Sequence, residues 1–136
     1  MDIKERKIAS DIGKLKNIFQ EDGIGIMATS DSKGWVNMAI YSPPIITNEG
    51  LLVFGATERL TYKNIKENPR AMFMFIRLNK GWEGVRIRLS LVKDEVSGPM
   101  LENLRERFKE MGYYHLASEI CHALYFKAEE IRPLKG

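Results

Sequence analysis

The residues best suited to chemistry lie in one stretch, residues 55–70 (GATERLTYKNIKENPR), between two apolar runs typical of strands. This stretch carries the hydroxyls of Thr57 and Thr61, the ammonium of Lys63 and the amide of Asn64 around the start of a short helical pattern. The dipole and the free amides of a helix start favour an anion such as phosphate. Threonine also caps ordinary helices, so the local pattern leaves an anion site and a plain strand-to-helix connection both open.

The histidines and the cysteine form no recognisable catalytic or metal-binding motif. Cys121 and His122 are adjacent, which is an unfavourable spacing for chelating one metal ion, and no acidic or histidine cluster lies close to them in sequence. We therefore expect no metal site and assign structural or surface roles to His115, Cys121 and His122. The single cysteine excludes an intrachain disulfide. No Ser–His–Asp arrangement can be assembled, and no catalytic residue is identified.

The composition predicts one domain spanning residues 1–136. A hydrophobic fraction of 44% is sufficient for a core and argues against disorder. The net charge of +3 permits an anionic partner without requiring one, and no aromatic-basic motif of the RNA-binding kind is present, so nucleic acid is not expected. The N-terminus is charged and no apolar run approaches membrane-spanning length. We expect a soluble, cytoplasmic protein with no membrane partner.

The periodicity predicts mostly strands with a few helices. Helical spacing of apolar residues predicts a packing helix over residues 2–20, and Pro99 opens a second helix. A short helix is expected between Tyr113 and His122. Apolar runs separated by turns, such as residues 31–34 and 79–81, predict roughly six strands and a small barrel.

One strand carries an excess of apolar side chains. Residues 71–76 (AMFMFI) are apolar on both faces, and the strand methionines Met27, Met38, Met72 and Met74 are most simply core residues. This sheet surface exceeds what the short helices can cover. We therefore expect a homodimer that buries the remainder.

The order of these features resembles a known family. A strand, a polar turn ending in glycine, a strand, a hairpin and then T-x-x-x-T-x-K-N-I-x-x-N-P-R before an apolar strand resembles the FMN-binding split-barrel family. That family includes pyridoxamine 5′-phosphate oxidase, and the chain is most similar to its small one-domain members. The similarity covers about residues 23–95 and the final strand (ALYFKAEEIRPL), and NIKENPR is its most specific segment. The resemblance implies a mainly β fold with peripheral helices, a roughly six-stranded split β-barrel, and FMN bound in a groove at a homodimer interface.

The resemblance also implies a cofactor site. Strand residues 37–41 would offer backbone hydrogen bonds to the flavin ring, and small residues at 55–57 would pass close to the cofactor. Thr61 and Lys63 would hold the phosphate with support from Asn64, and Trp82 would either cover the cofactor from the second subunit or pack in the core or interface. The implied cofactor-binding residues are Asn37, Met38, Ala39, Tyr41, Gly55, Ala56, Thr57, Thr61, Lys63, Asn64 and Trp82.

The chain departs from the family pattern at the phosphate. Many relatives carry a basic residue in place of Thr61, and Arg59, or Arg86 or Arg88 of the partner subunit, is the candidate to replace that charge. The departure leaves the deazaflavin F420, FAD and haem open as alternatives to FMN.

The resemblance implies an FMN-dependent oxidoreductase that transfers hydride to or from a small-molecule substrate. The C-terminal substrate-binding arginine and histidine of pyridoxamine 5′-phosphate oxidase itself cannot be matched here. The alternative is a non-catalytic carrier or sensor of flavin or haem.

Overall fold

The computed structural model describes residues 1–135 and contains four helices and seven strands within them. In chain order, the elements are α1 (Ile3–Ile18), β1 (Gly23–Ser30), β2 (Val36–Ile40), β3 (Ile45–Ile46), β4 (Leu52–Ala56), α2 (Leu60–Glu67), β5 (Arg70–Arg77), β6 (Gly84–Glu95), α3 (Pro99–Glu110), α4 (Tyr114–Glu119) and β7 (His122–Pro133).

The strands form one antiparallel sheet in the order β2-β1-β5-β6-β7-β4-β3. The sheet is curled: β2 and β4 lie near opposite ends of the strand order, yet Tyr41 at the end of β2 contacts Phe54 of β4. Their ring centroids are 6.2 Å apart in an edge-to-face arrangement. This curl brings the free edge of β2 close to the segment that joins β4 to α2.

The core occupies the inner face of the curled sheet. Strand alternation and register place Met27, Phe73 and Ile87 side by side on β1, β5 and β6, each with at most 1% of its surface exposed. Phe54 contacts Phe73 edge-on from the other half of the sheet, at 5.0 Å between centroids. Helix α1 closes one end of this core through Leu15, which is fully buried.

The outer face of β2, β1 and β5 is also apolar, but its side chains are more exposed to solvent than those of the inner face. Its apolar side chains are Val36, Met38 and Ile40 of β2, Ile24, Ile26 and Ala28 of β1, and Met72, Met74 and Ile76 of β5. The three from β2 are 78%, 71% and 80% exposed, respectively. Met27 is a core residue as predicted. Met38, Met72 and Met74 are not, because strand alternation turns them to the opposite face of the sheet.

The mainly β fold class predicted from the sequence is confirmed, with one difference in strand number. The sheet has seven strands rather than six, because the two-residue β3 pairs with β4 as a strand of its own. The N-terminal helix is also confirmed, and Asp2 caps it by accepting a hydrogen bond from the Glu5 amide at 2.7 Å. The last long helix begins at Pro99 as expected, and the predicted short helix is α4.

Among the described residues, no helix is both long and apolar enough to cross a membrane.

Candidate functional site

A groove with a volume of about 520 Å³ lies between the edge of β2, the β4–α2 segment and the helices α3 and α4. Its walls are more apolar than polar. It is lined by Asn37, Met38, Ala39, Ile40, Tyr41, Ser42, Gly55, Thr57, Arg59, Leu60, Thr61, Phe108, Tyr113, Leu116 and Ile120.

The edge of β2 gives one wall of the groove a row of backbone groups. Two hydrogen bonds show which residues of β1 and β2 bond to each other. The Tyr41 amide donates to the Gly25 carbonyl, and the Asp31 amide donates to the Trp35 carbonyl, both at 3.0 Å. In an antiparallel pair the intervening residues direct their amides and carbonyls away from the neighbouring strand. The backbone groups of Met38 and Ile40 therefore face the open edge, where a planar ligand can exchange hydrogen bonds with them.

The start of α2 forms the polar end of the groove. The first intrahelical hydrogen bond runs from the Lys63 amide to the Arg59 carbonyl at 3.0 Å, so the amides of the first helical residues have no intrahelical partner. The Arg59 side chain does not cap this end, and the first turn carries no acidic residue. Thr57, Arg59 and Thr61 lie just before or within the first turn of this helix, and all three line the groove. Every one of these groups can donate a hydrogen bond to an anion.

Arg59 is held at the mouth of the groove by an ion pair. Its Nη2 atom lies 2.8 Å from Oε2 of Glu119 on α4, and the arginine side chain is 71% exposed. An ion pair with such exposure contributes little to stability, so an incoming anion can compete for the guanidinium at low cost.

Tyr41 provides a hydroxyl inside the groove. Burial raises the pKa of its phenol, and a hydrogen bond with the Thr61 side chain acts in the opposite direction. The phenol therefore remains protonated at neutral pH and is available as a hydrogen-bond donor or acceptor.

The structure brings most of the residues implied by the resemblance to this groove. Those that line it are Asn37, Met38, Ala39, Tyr41, Gly55, Thr57 and Thr61. Ala56 is buried behind the wall, and Lys63 is exposed on α2 outside the lining. Trp82 lies 69% exposed in the β5–β6 loop and does not line the groove of its own chain.

Asn64 has a structural partner. Its side chain is 3% exposed, and its Nδ2 atom donates a hydrogen bond to Oγ1 of Thr29 at 3.1 Å, which fastens α2 to β1. Asn64 thus fixes the position of α2, and no motif in the sequence identified Thr29 as its partner.

Gly55 has a reason to be small in addition to the expected approach of a cofactor. A Cβ atom there would lie 3.1 Å from Cγ2 of Ile120 and 3.6 Å from Cβ of Leu104, so α3 and the end of α4 pack directly on its backbone. Its φ angle is not in the left-handed region. The close approach of the two helices, rather than the groove alone, therefore limits the size of residue 55.

Sequence reasoning missed the wall that α3 and α4 contribute. Phe108, Tyr113, Leu116 and Ile120 all line the groove. Helical periodicity predicts that Phe108 belongs to an apolar stripe, but not that part of the stripe faces a cavity. For the residues of α4, the sequence contains no comparable signal.

A second group of polar side chains lies behind the groove, at the start of β7. We call Glu58, Tyr62, Asp94, Cys121 and His122 the His122 cluster. Nδ1 of His122 lies 2.8 Å from Oδ1 of Asp94, and the Tyr62 hydroxyl donates to Oδ2 of Asp94 at 2.7 Å. The Tyr62 ring stacks on the imidazole with centroids 3.9 Å apart.

Two members of the His122 cluster have displaced pKa values. Burial, followed by the hydrogen bond to Asp94, raises the pKa of Tyr62 to about 12. Burial, followed by the nearby charge of Glu58, raises the pKa of the Cys121 thiol, while Arg105 acts in the opposite direction. Both groups are therefore protonated at neutral pH.

Comparison with known proteins places the chain in a family. The family model described as pyridoxamine 5′-phosphate oxidase matches residues 12–134. No curated protein matches the sequence. An FMN-binding protein from Syntrophomonas wolfei subsp. wolfei is similar in structure, with a TM-score of 0.73 and 22% identity over 82% of this chain and 77% of that chain.

Two further solved structures share the fold. HutZ, the haem storage protein from Vibrio cholerae, gives a TM-score of 0.58 and 16% identity over 88% of this chain and 92% of its own. An F420 reductase gives a TM-score of 0.61 and 17% identity over 86% and 94%, respectively. Such low identities establish a common fold and leave the ligand open. Because the family model covers nearly the whole chain, the protein belongs to the pyridoxamine 5′-phosphate oxidase family of split-barrel proteins.

Proposed function

We propose that the chain binds FMN in the groove and acts as an oxidoreductase on a small molecule. The observation that supports this proposal most strongly is that two features occur together in one cavity. A mostly apolar slot runs along the open edge of β2, and an uncapped helix start with Thr57, Arg59 and Thr61 lies at its end. FMN has the same division, a planar ring system at one end and a phosphate at the other.

The dimensions and donor groups of the groove suit this ligand. Its volume of about 520 Å³ is within the range of cofactor and small-molecule sites. The donors at the α2 end suit a phosphate. Apolar side chains including Leu60, Phe108 and Ile120 would contact the faces of the ring.

The polar edge of the flavin ring would meet the backbone of β2. The amides and carbonyls of Met38 and Ile40 face this edge, and Tyr41 adds a protonated hydroxyl. Flavin supplies the redox chemistry of such a site, whereas the protein binds the ring, orients it and limits its access to water. The residues of this chain would therefore act by positioning both the ring and the substrate.

Haem is less well supported as the resident ligand. Within residues 1–135, neither histidine lines the groove: His115 is on the exposed surface of α4, and His122 is buried behind the wall. F420 and FAD also carry phosphate, so direct competition with FMN is needed to separate them.

We further propose that two copies pair through the outer face of β2, β1 and β5. The exposed row of Val36, Met38 and Ile40 continues across partly buried apolar side chains on β1 and β5. A contiguous apolar face of this kind marks an interaction surface. Because Met38 and Ile40 also line the groove, a second copy bound there would complete the cofactor site.

The phosphate assignment is tested by measuring the affinity of two variants for FMN and for riboflavin, which lacks the phosphate. Arg59→Ala removes the cation that lines the groove, and Lys63→Ala is the matched control on the exposed part of the same helix. Loss of a charge-assisted hydrogen bond costs about 1.5–3 kcal/mol, so we expect Arg59→Ala to weaken FMN binding tenfold or more without affecting riboflavin. If the two variants bind FMN equally, measured by flavin fluorescence titration, Arg59 does not hold the phosphate.

The dimer is tested by sedimentation of the wild type and two charge variants. Val36→Glu places a carboxylate on the proposed interface outside the groove, and Ile3→Glu does the same at an equally exposed position on α1. We expect the wild type and Ile3→Glu to sediment as dimers at micromolar concentration and Val36→Glu to dissociate. A wild type that is solely monomeric contradicts the proposal.

The oxidoreductase and carrier alternatives differ in turnover. An enzyme should accept electrons from NADH or NADPH, bleach its flavin and recover its colour when a suitable acceptor is added. Flavin that stays oxidised with both donors, in protein that binds FMN stoichiometrically, would favour the carrier.

A further inference from the structure

The His122 cluster brings three potential metal ligands together beside the groove. One donor atom from each of Glu58, Cys121 and His122 lies within 4.8 Å of the other two. Cys121 lies in irregular backbone just before β7, and its amide is fixed by a hydrogen bond to the Ala56 carbonyl at 3.0 Å. Strand alternation does not apply at this position, so the adjacent Cys121 and His122 can direct their side chains to a common point. Glu58, which is distant in sequence, approaches from the β4–α2 segment.

The imidazole of His122 is oriented for ligation. Its Nδ1 atom lies 2.8 Å from a carboxylate oxygen of Asp94, so this nitrogen must carry a proton. In the neutral ring, Nε2 is then an acceptor, yet it faces Oε2 of Glu58 at 3.5 Å. Two acceptors face each other, with the histidine side chain only 7% exposed. The Glu58 side chain is itself 69% exposed, and a cation between the two atoms would bond to both of them.

The surroundings of the ring resemble the support that metal-binding histidines have. Such histidines commonly donate their second N–H to a carboxylate, which fixes the tautomer and the ring plane. Asp94 is the carboxylate beside Nδ1 of His122, and it also accepts a hydrogen bond from the Tyr62 hydroxyl at 2.7 Å. The stacked Tyr62 ring prevents the imidazole from turning.

We propose that Glu58, Cys121 and His122 bind a divalent transition-metal ion of the zinc class. Metal–nitrogen and metal–oxygen bonds of roughly 2.0–2.1 Å at a tetrahedral angle separate the two donor atoms by about 3.3 Å, close to the 3.5 Å between Nε2 and Oε2. Thiolate, imidazole and carboxylate all suit zinc, and a fourth position remains for water or another ligand. Binding displaces the thiol proton and joins the segment containing Glu58 to the start of β7.

The test is a titration of the full chain, freed of metal by chelation, with Co²⁺ as a spectroscopic probe for Zn²⁺. We expect one Co²⁺ per chain, a thiolate-to-cobalt charge-transfer band and the visible bands of a tetrahedral site. Zn²⁺ should abolish all three. Cys121→Ser should remove the charge-transfer band, and Glu58→Gln should lower the affinity for Co²⁺ about tenfold or more, by analogy with other ligand-shell changes.

The control is the exposed histidine–carboxylate pair on α4. Nε2 of His115 lies 3.0 Å from Glu119, and no cysteine belongs to this pair. His115→Gln should leave the cobalt spectrum and affinity unchanged. The proposal is overturned if Co²⁺ gives no charge-transfer band, if Cys121→Ser binds it as well as the wild type, or if nitrogen NMR finds His122 doubly protonated at neutral pH with Zn²⁺ present.

Discussion

The groove and the His122 cluster lie on two sides of the same β4–α2 segment, yet they are built differently. Thr57 lines the groove, and the next residue, Glu58, belongs to the cluster. The polar groups of the groove are backbone amides and carbonyls, the hydroxyls of tyrosine and threonine side chains and the exposed Arg59, while its walls are mostly apolar. In the cluster, Asp94 accepts a hydrogen bond from the Tyr62 hydroxyl and lies 2.8 Å from the ring nitrogen of His122. The groove is therefore suited to an added ligand, whereas the cluster already contributes to the stability of the fold.

The substitution with the largest expected effect tests whether the cluster contributes more than the groove to the free energy of unfolding. Asp94→Ala removes the acceptor of both the Tyr62 hydroxyl and the His122 ring, and its side chain is only 14% exposed. Loss of this acceptor by the buried His122 ring and the partly buried Tyr62 hydroxyl should cost about 3 kcal/mol in the free energy of unfolding, measured with urea. Thr57→Ala in the groove should change that free energy by about 0.5 kcal/mol or less. Equal losses in the two variants would remove the distinction.

A smaller effect is expected where α3 and α4 pack on the groove wall. Gly55→Val adds atoms where even a Cβ lies 3.1 Å from Ile120, so overpacking should cost about 1–3 kcal/mol. We expect the loss of stability in the protein without cofactor, and the added substitution Ile120→Ala should relieve part of it. If Gly55→Val leaves the melting temperature unchanged and only prevents cofactor binding, the residue is small because of the ligand instead.

The smallest effect concerns alkaline pH. The pKa of Tyr62 is about 12 in the folded protein and near 10 in an unfolded chain, so the neutral phenol is favoured by folding. This contribution is fully present below pH 10 and is lost as the pH rises towards 12. Tyr125, beside Glu95, behaves in the same way.

Absorbance of the phenolate measures these titrations directly. Asp94→Asn removes the negative charge beside Tyr62 and should lower the pKa of that tyrosine, while the pKa of Tyr125 stays near 12. If both tyrosines shift together, the effect is a general loosening of the structure and not the loss of a specific contact.

The difference between the two regions also explains what the sequence could predict. Thr57 and Thr61 belong to one contiguous motif, and both lie on the groove because a strand, a turn and a helix start keep their order in space. Asp94 and His122 are 28 residues apart, and their contact depends on the pairing of β6 with β7, which no local pattern specifies. Lys63 belongs to the motif and yet lies outside the lining, since residue type does not determine which side of a short helix faces the cavity.

The outer sheet face illustrates the same limit. Alternation in the sequence indicated two apolar faces on β5, and both exist. It did not indicate that the most exposed apolar residues would lie on β2, because the edge position of a strand is a property of sheet order. Sheet order depends on pairings between distant segments of the chain. These pairings determine the exposure of Met38 as much as its being a methionine does.

Competition among the candidate ligands shows directly whether the groove binds FMN. The purified chain is incubated with equal concentrations of FMN, FAD, F420 and haem, freed of unbound ligand and denatured, and the released molecules are identified by mass and absorption spectrum. We expect FMN at about one per chain from the wild type and Lys63→Ala, and far less from Arg59→Ala. Retention of haem or F420 in place of FMN, or equal FMN occupancy in Arg59→Ala, would contradict it.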